Sequence, residues 1–148
     1  QEGKRRTMSG ETILVIEDNP SNMKLVKAIL LSENYEVHTA ENAEVAQIKL
    51  ATLHPQLILM DIQLPGMDGL ALTRLLKANP QMHDIFIVAL TAYAMKGDQQ
   101  KAFDAGCDAY ITKPIDRLSF LITIRQYLDA ISSSAREPGS TCPDITVM

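Results

Sequence analysis

The chain has 148 residues, 46% of them hydrophobic and 22% charged, and a formal net charge of −4 at pH 7. Those values fit one globular domain with a real core. A net negative charge without a basic stripe argues against direct nucleic-acid binding. No apolar run approaches the ~20 residues that span a bilayer. Cys107 and Cys142 stand far apart, a pattern that makes neither a disulfide framework nor a zinc site and that fits a reducing, cytoplasmic setting.

Residues 1–11 are polar, with Lys4, Arg5 and Arg6 together, and lack the apolar segment of a signal peptide. They read as a disordered leader, with Met8 a candidate natural start and the residues before it an added segment. Ile13, Leu14, Val15 and Ile16 form an all-apolar strand that ends on the acids Glu17 and Asp18. Asn19-Pro20 supplies a helix cap and a proline at the first helical position, and the apolar spacing carries that helix to about Ser32. Residues 35–40 alternate and are β-rich, which predicts a strand nearer the sheet edge. A second helix spans Ala43 to Leu53 by periodicity and is stopped by Pro55. Leu57, Ile58, Leu59 and Met60 then form a strand buried on both faces, and it stops on Asp61. A Pro65-Gly66 turn and a helix from Leu70 to about Ala78 follow. Residues 85–90 make a fourth apolar strand ending on Thr91. A helix from about Asp98 closes at Gly106, and residues 109–112 make a short fifth strand ending on Lys113-Pro114. The last helix, from about Asp116 to Ile131, carries one apolar stripe. Residues 132–148 read as a disordered polar tail.

Five strands alternating with five helices predict an α/β fold, a doubly wound five-stranded parallel sheet in the flavodoxin-like order 2-1-3-4-5. In that order the carboxyl ends of strands one and three flank the switch point, so Glu17, Asp18 and Asp61 converge, with Thr91 and Lys113 on the same rim. Three carboxylates in close proximity repel by up to ~4 kcal/mol per pair at 4 Å and an effective dielectric of 20. Lys113 offsets part of that, and a divalent cation offsets more. Oxygen donors of this kind select Mg²⁺ or Mn²⁺ over zinc. A strand-end carboxylate beside such a cation can attack phosphorus and carry an aspartyl-phosphate, with the Thr91 hydroxyl and Lys113 ammonium on the remaining phosphoryl oxygens.

Glu17-Asp18, the Leu59-Met60-Asp61 strand end, Leu64-Pro65-Gly66-Met67-Asp68-Gly69, Leu90-Thr91-Ala92 and Lys113-Pro114 together resemble the receiver domain of two-component response regulators. The resemblance covers residues 12–131. It implies Asp61 as phosphoacceptor, Asp18 as the principal metal carboxylate, Glu17 acting through a metal-bound water, and the Gln63 backbone carbonyl as a further ligand. It also implies Thr91 as the switch hydroxyl, Lys113 as the phosphate-binding lysine, and a cis Lys113–Pro114 bond. Tyr110 takes the place of the aromatic that turns inward on phosphorylation. Tyr93 borders the site, either limiting water access or as an exposed loop residue. The first acid is Glu17 where many members have Asp.

The function that follows is a phosphorelay module that takes a phosphoryl group from a histidine kinase or histidine phosphotransfer protein, with no chemistry beyond its own phosphorylation and hydrolysis. A haloacid-dehalogenase-like phosphatase is disfavoured because Gln63 stands where that class wants a second carboxylate. A non-phosphorylated adaptor has no reason to keep the mutually repelling acids. No glycine-rich P-loop is present for a GTPase. The scattered His38, His54 and His83 lack ligand spacing. Two forms stay open, a stand-alone regulator and a receiver of a hybrid sensor kinase.

Overall fold

The computed structural model describes residues 11–62, 69–91, 96–113 and 115–136. In chain order the elements are β1 (Thr12–Ile16), α1 (Pro20–Leu31), β2 (Glu36–Ala40), α2 (Ala43–Leu50), β3 (Leu57–Asp61), α3 (Gly69–Lys77), β4 (Phe86–Thr91), α4 (Lys96–Ala105), β5 (Ala109–Thr112) and α5 (Arg117–Arg136). The strands pair in parallel in the order β2-β1-β3-β4-β5, the doubly wound order expected from the alternation of elements. β2 lies at one edge, as its mixed composition predicted.

Strand pleating divides the core in two, because successive side chains point to opposite faces. Leu14, Ile16, Ile58, Met60, Ile87 and Ala89 pack against α2, α3 and α4. Ile13, Val15, Leu57, Leu59, Val88 and Leu90 pack against α1 and α5, through Val26, Ile29, Leu30, Phe120, Ile124 and Tyr127. Each fully buried aliphatic side chain contributes ~1.5–3 kcal/mol, so both faces of β1, β3 and β4 hold the sheet in place. Continuous apolar runs are the sequence form of that two-sided burial.

The helix ends follow local chemistry. The Asn19 side chain accepts hydrogen bonds from the Ser21 and Asn22 amides at 2.9 and 3.0 Å, and Pro20 opens α1. Asn42 caps α2 through the Val45 amide at 2.8 Å, and Asp116 caps α5 through the Ser119 amide at 3.0 Å. Gly106 ends α4 with φ of 113°, while the Cys107 amide donates back to the Ala102 carbonyl at 3.0 Å, the bond of a left-handed helix terminus.

Three boundaries differ from expectation. α2 stops at Leu50 because the chain tightens ahead of Pro55, with Ala51 and Thr52 donating to the carbonyls of Ile48 and Lys49 three residues back. α5 continues to Arg136, past the expected end at Ile131, since the serines that follow carry only a modest helix penalty and a formed helix propagates easily. Glu11 belongs to the fold rather than to a disordered leader. Its carbonyl accepts from the Glu36 amide at 2.9 Å, and its side chain meets Arg125 at 2.6 Å. Gln63, Tyr93 and Pro114, with the expected cis bond, lie outside the described residues.

Candidate functional site

The site forms where β1, β3, β4 and β5 end together. Ile16 sits opposite Met60, Asp61 opposite Leu90 and Thr91 opposite Thr112 in the strand register. Backbone bonds continue past the strands: the Glu17 amide donates to the Ala40 carbonyl at 3.0 Å, Ile62 to Leu90 at 3.2 Å, and Lys113 to Thr91 at 2.7 Å. The functional side chains are therefore set by the rigid sheet, and the last of these bonds fixes Lys113 to Thr91.

Glu17, Asp61 and Thr91 are buried, with 2%, 6% and 1% of their surfaces exposed. Asp18 is exposed. One oxygen from each of Glu17, Asp18 and Asp61 lies within 4.8 Å of the others. The Lys113 ammonium donates to Glu17 Oε1 at 3.0 Å and to Asp61 Oδ2 at 3.2 Å. The other Glu17 oxygen accepts from the Asn19 amide at 3.2 Å. One ammonium thus faces two buried carboxylates, with a third carboxylate at the rim.

The electrostatics record that imbalance. Burial, followed by the neighbouring Asp61, pushes the Glu17 carboxyl above its usual range, against the downward pull of Lys113. Burial works to lower Lys113, yet its bonds to Glu17 and Asp61 outweigh burial and raise it. Three close oxygen donors of high charge, one open to solvent, fit a hard divalent cation such as Mg²⁺.

Gly69 packs directly against the end of β3. A Cβ there would meet the Asp61 carbonyl oxygen at 2.6 Å and Ile62 Cα at 2.8 Å. Only glycine lets α3 begin this close to the strand end. The glycine is visible in the sequence, but the approach is not. The double engagement of Lys113 was also beyond sequence reasoning, since the residues it joins are far apart in the chain.

Tyr110 lies on β5 opposite Ala89, half-buried and packed against the core cluster of α2, α3 and α4. The histidines stay apart from the site: His38 bonds Glu36 at 2.7 Å, His54 meets Asp84 at 3.2 Å, and His83 is exposed. Cys107 is buried beside Thr73, and burial pushes its thiol up to about 11, consistent with a filler role. Among the described residues, no helix is long and apolar enough to cross a membrane.

Known proteins share this fold. Residues 13–125 match the family described as the response regulator receiver domain. The polar-differentiation response regulator DivK of Brucella ovis is 41% identical over 118 residues, covering 80% of this chain and 96% of that regulator. A receiver domain of a sensor histidine kinase from Pseudomonas aeruginosa PAO1, solved with a magnesium ion coordinated in its active-site cleft, is 32% identical with a TM-score of 0.75, covering 82% of this chain and 99% of that one. A CheY-like receiver domain protein from Methanospirillum hungatei is also 32% identical, with a TM-score of 0.77, covering 85% of this chain and 99% of that one. These matches and the acid cluster favour a phosphoacceptor module of two-component signalling over a phosphatase or an inert adaptor. The chain belongs to the response regulator receiver domain family.

Proposed function

We propose that Asp61 is the phosphoacceptor of this receiver domain, taking a phosphoryl group from a phosphohistidine on a histidine kinase or histidine phosphotransfer protein in the cytoplasm. The observation that carries this reading is a buried carboxylate at a strand end, within 4.8 Å of two further acids and 3.2 Å from the Lys113 ammonium. An Asp61 carboxylate oxygen bonds to phosphorus as the phosphorus–nitrogen bond breaks and the imidazole leaves. Phosphoryl transfer to a carboxylate needs no general base, and positioning with charge neutralisation supplies the catalysis.

Asp18, Asp61 and Glu17 would hold Mg²⁺ (or Mn²⁺), and the Gln63 carbonyl would be a further donor. Both Glu17 oxygens are already engaged, by Lys113 and by the Asn19 amide, whereas Asp18 faces solvent. That favours Asp18 as the direct ligand and Glu17 as an indirect one. When bound, the cation neutralises charge shared between carboxylate and phosphoryl oxygens. Thr91 and Lys113 bind the phosphoryl oxygens, and water later hydrolyses the acyl phosphate.

The phosphoryl group brings about −1.5 to −2 charges and three acceptor oxygens. Hydrogen bonds to charged groups contribute ~1.5–3 kcal/mol each, so Thr91 and Lys113 together supply roughly 3–6. Full conversion of a 1:99 equilibrium to 99:1 needs ~5.5 kcal/mol of differential binding, so two bonds come near the requirement. Drawing the Thr91 hydroxyl inward lets Tyr110 turn toward it, which changes the surface of β4, β5 and α4 for a downstream protein.

Incubation with Mg²⁺ and a small phosphodonor should add one acid-labile, hydroxylamine-sensitive phosphoryl group. Equal labelling of Asp61→Asn would refute the assignment. Amide shifts with beryllofluoride should reach Tyr110 and α4, and changes confined to the Asp61 loop would rule out the switch.

A further inference from the structure

Leu118 and Ile122 of α5 are 66% and 52% exposed. Phe120, Ile124, Tyr127 and Leu128, on the other side of the same helix, are buried in the core. Four positions apart, Leu118 and Ile122 share one helical face. Arg125 and Asp129 continue that face toward the carboxyl end as an ion pair at 3.3 Å. The outer side of α5 therefore presents a two-residue apolar patch ahead of a neutralised pair.

The chain beyond α5 has the length and pattern to cover this patch. Glu137-Pro138-Gly139-Ser140 follows Arg136, with proline and glycine at the two central positions of a type II turn. Proline also cannot continue the helix, so the sequence favours a reversal back along α5. Further on stand Ile145 and Val147, which two positions apart share one side of an extended segment. At 3.3 Å per extended residue they lie roughly 20 and 26 Å from Gly139. At 1.5 Å per helical residue Ile122 and Leu118 lie roughly 21 and 27 Å from Arg136. The spacing inside each pair agrees as well, about 7 Å for the tail and about 6 Å for the helix. A short tether gives its own segment an effective concentration on the order of millimolar, which favours the tail over a second copy of the chain.

We propose that residues 144–148 fold back along α5 and dock on this face, with Ile145 on Ile122 and Val147 on Leu118. The patch is then covered within the chain, and it opens to another protein only when the segment is displaced.

A nitroxide attached to Cys142 tests this in the whole chain, because Cys107 is buried and its thiol is pushed up to about 11. The magnetic resonance signals of Leu118 and Ile122 should lose most of their intensity, and the I145D/V147D variant should recover it. Both substitutions lie beyond α5, and an unchanged melting temperature will show that the fold is intact. Losses confined to residues 129–136, within reach of an undocked tail, would overturn the proposal. So would losses that persist undiminished in I145D/V147D. Mixing nitroxide-bearing chains with isotope-labelled chains that carry none separates the remaining case. Losses at Leu118 and Ile122 of the nitroxide-free chains would assign the face to a second copy and overturn the docking within one chain.

Discussion

The two ends of the sheet carry the same kinds of side chain and use them differently. At the amino end of the strands, charges are matched. Arg125 meets Glu11 at 2.6 Å and Tyr35 Oη at 3.3 Å. Lys77 meets Asp108 at 2.8 Å and also donates to the Ile85 carbonyl at 2.9 Å. At the carboxyl end two buried acids, Glu17 and Asp61, share Lys113, and the exposed Asp18 stands within 4.8 Å of both. A matched end fastens helices to strands. The unmatched end leaves unbalanced negative charge, which burial makes costly and which the proposed cation or phosphorylated state would relieve. Surplus charge held by a rigid sheet therefore marks the working end.

The contrast can be broken most directly at Asp61. Asp61→Asn should abolish phosphoryl labelling while raising stability by about 0.5–2 kcal/mol, because it removes repulsion. A denaturant melt in which this variant is less stable than the parent would mean that the rim acids do not strain the fold. Next, Asp18→Asn should weaken Mg²⁺ affinity about tenfold or more, since affinity follows the charge of the ligand set. Unchanged affinity by titration would place the cation elsewhere.

Lys113→Ala strands Glu17 and Asp61 without their cation. Breaking a buried pair costs about 3–5 kcal/mol, and the 17% exposure of the Lys113 side chain places this loss near the lower figure. The loss should shrink as pH falls through the raised Glu17 value, because the carboxyl stranded there then takes up a proton. In the parent protein, Glu17 ionisation withdraws stability as pH rises from 4.5 through its raised value. The stabilisation from Lys113 is complete below 10.5 and is lost as pH rises through its own raised value. Mg²⁺ should therefore raise the melting temperature more at pH 8 than at pH 5, as its ligands must be deprotonated. Equal shifts would count against Glu17.

At the matched end, Arg125→Ala should cost about 1–2 kcal/mol. Its side chain is 40% exposed, which weakens the pair, but it leaves the Glu11 carboxylate buried. Phosphoryl labelling should be unaffected, and a labelling defect would link the two ends. The smallest effect belongs to Gly106→Ala. The φ of 113° and a Cβ contact of 2.8 Å with Lys77 Cγ predict a loss of about 1 kcal/mol, read by thermal melts.

The switch-point order and the identity of the rim acids were legible because a strand buried on both faces has no choice of residues. Ile13 to Ile16 and Leu57 to Met60 are uniformly apolar, and the first charges after them must lie at the strand ends. The caps at Asn19, Asn42 and Asp116 follow from short polar side chains at helix starts. By contrast, nothing local in Glu11 distinguishes it from the polar residues before it. Its place in the fold depends on Arg125, 114 positions away. The end of α2 and the extension of α5 likewise turned on competition between propagation and turn formation, which periodicity does not resolve.

Sequence by itself determined the layering, the strand order and which five side chains reach the rim, because apolar periodicity and parallel crossovers admit few packings. Only the tertiary structure decided the distribution of charge among them. Lys113 donates to Glu17 as well as Asp61, and Asp18 is left facing solvent. Those outcomes depend on distances between residues far apart in the chain, and electrostatic energy changes steeply with distance and burial.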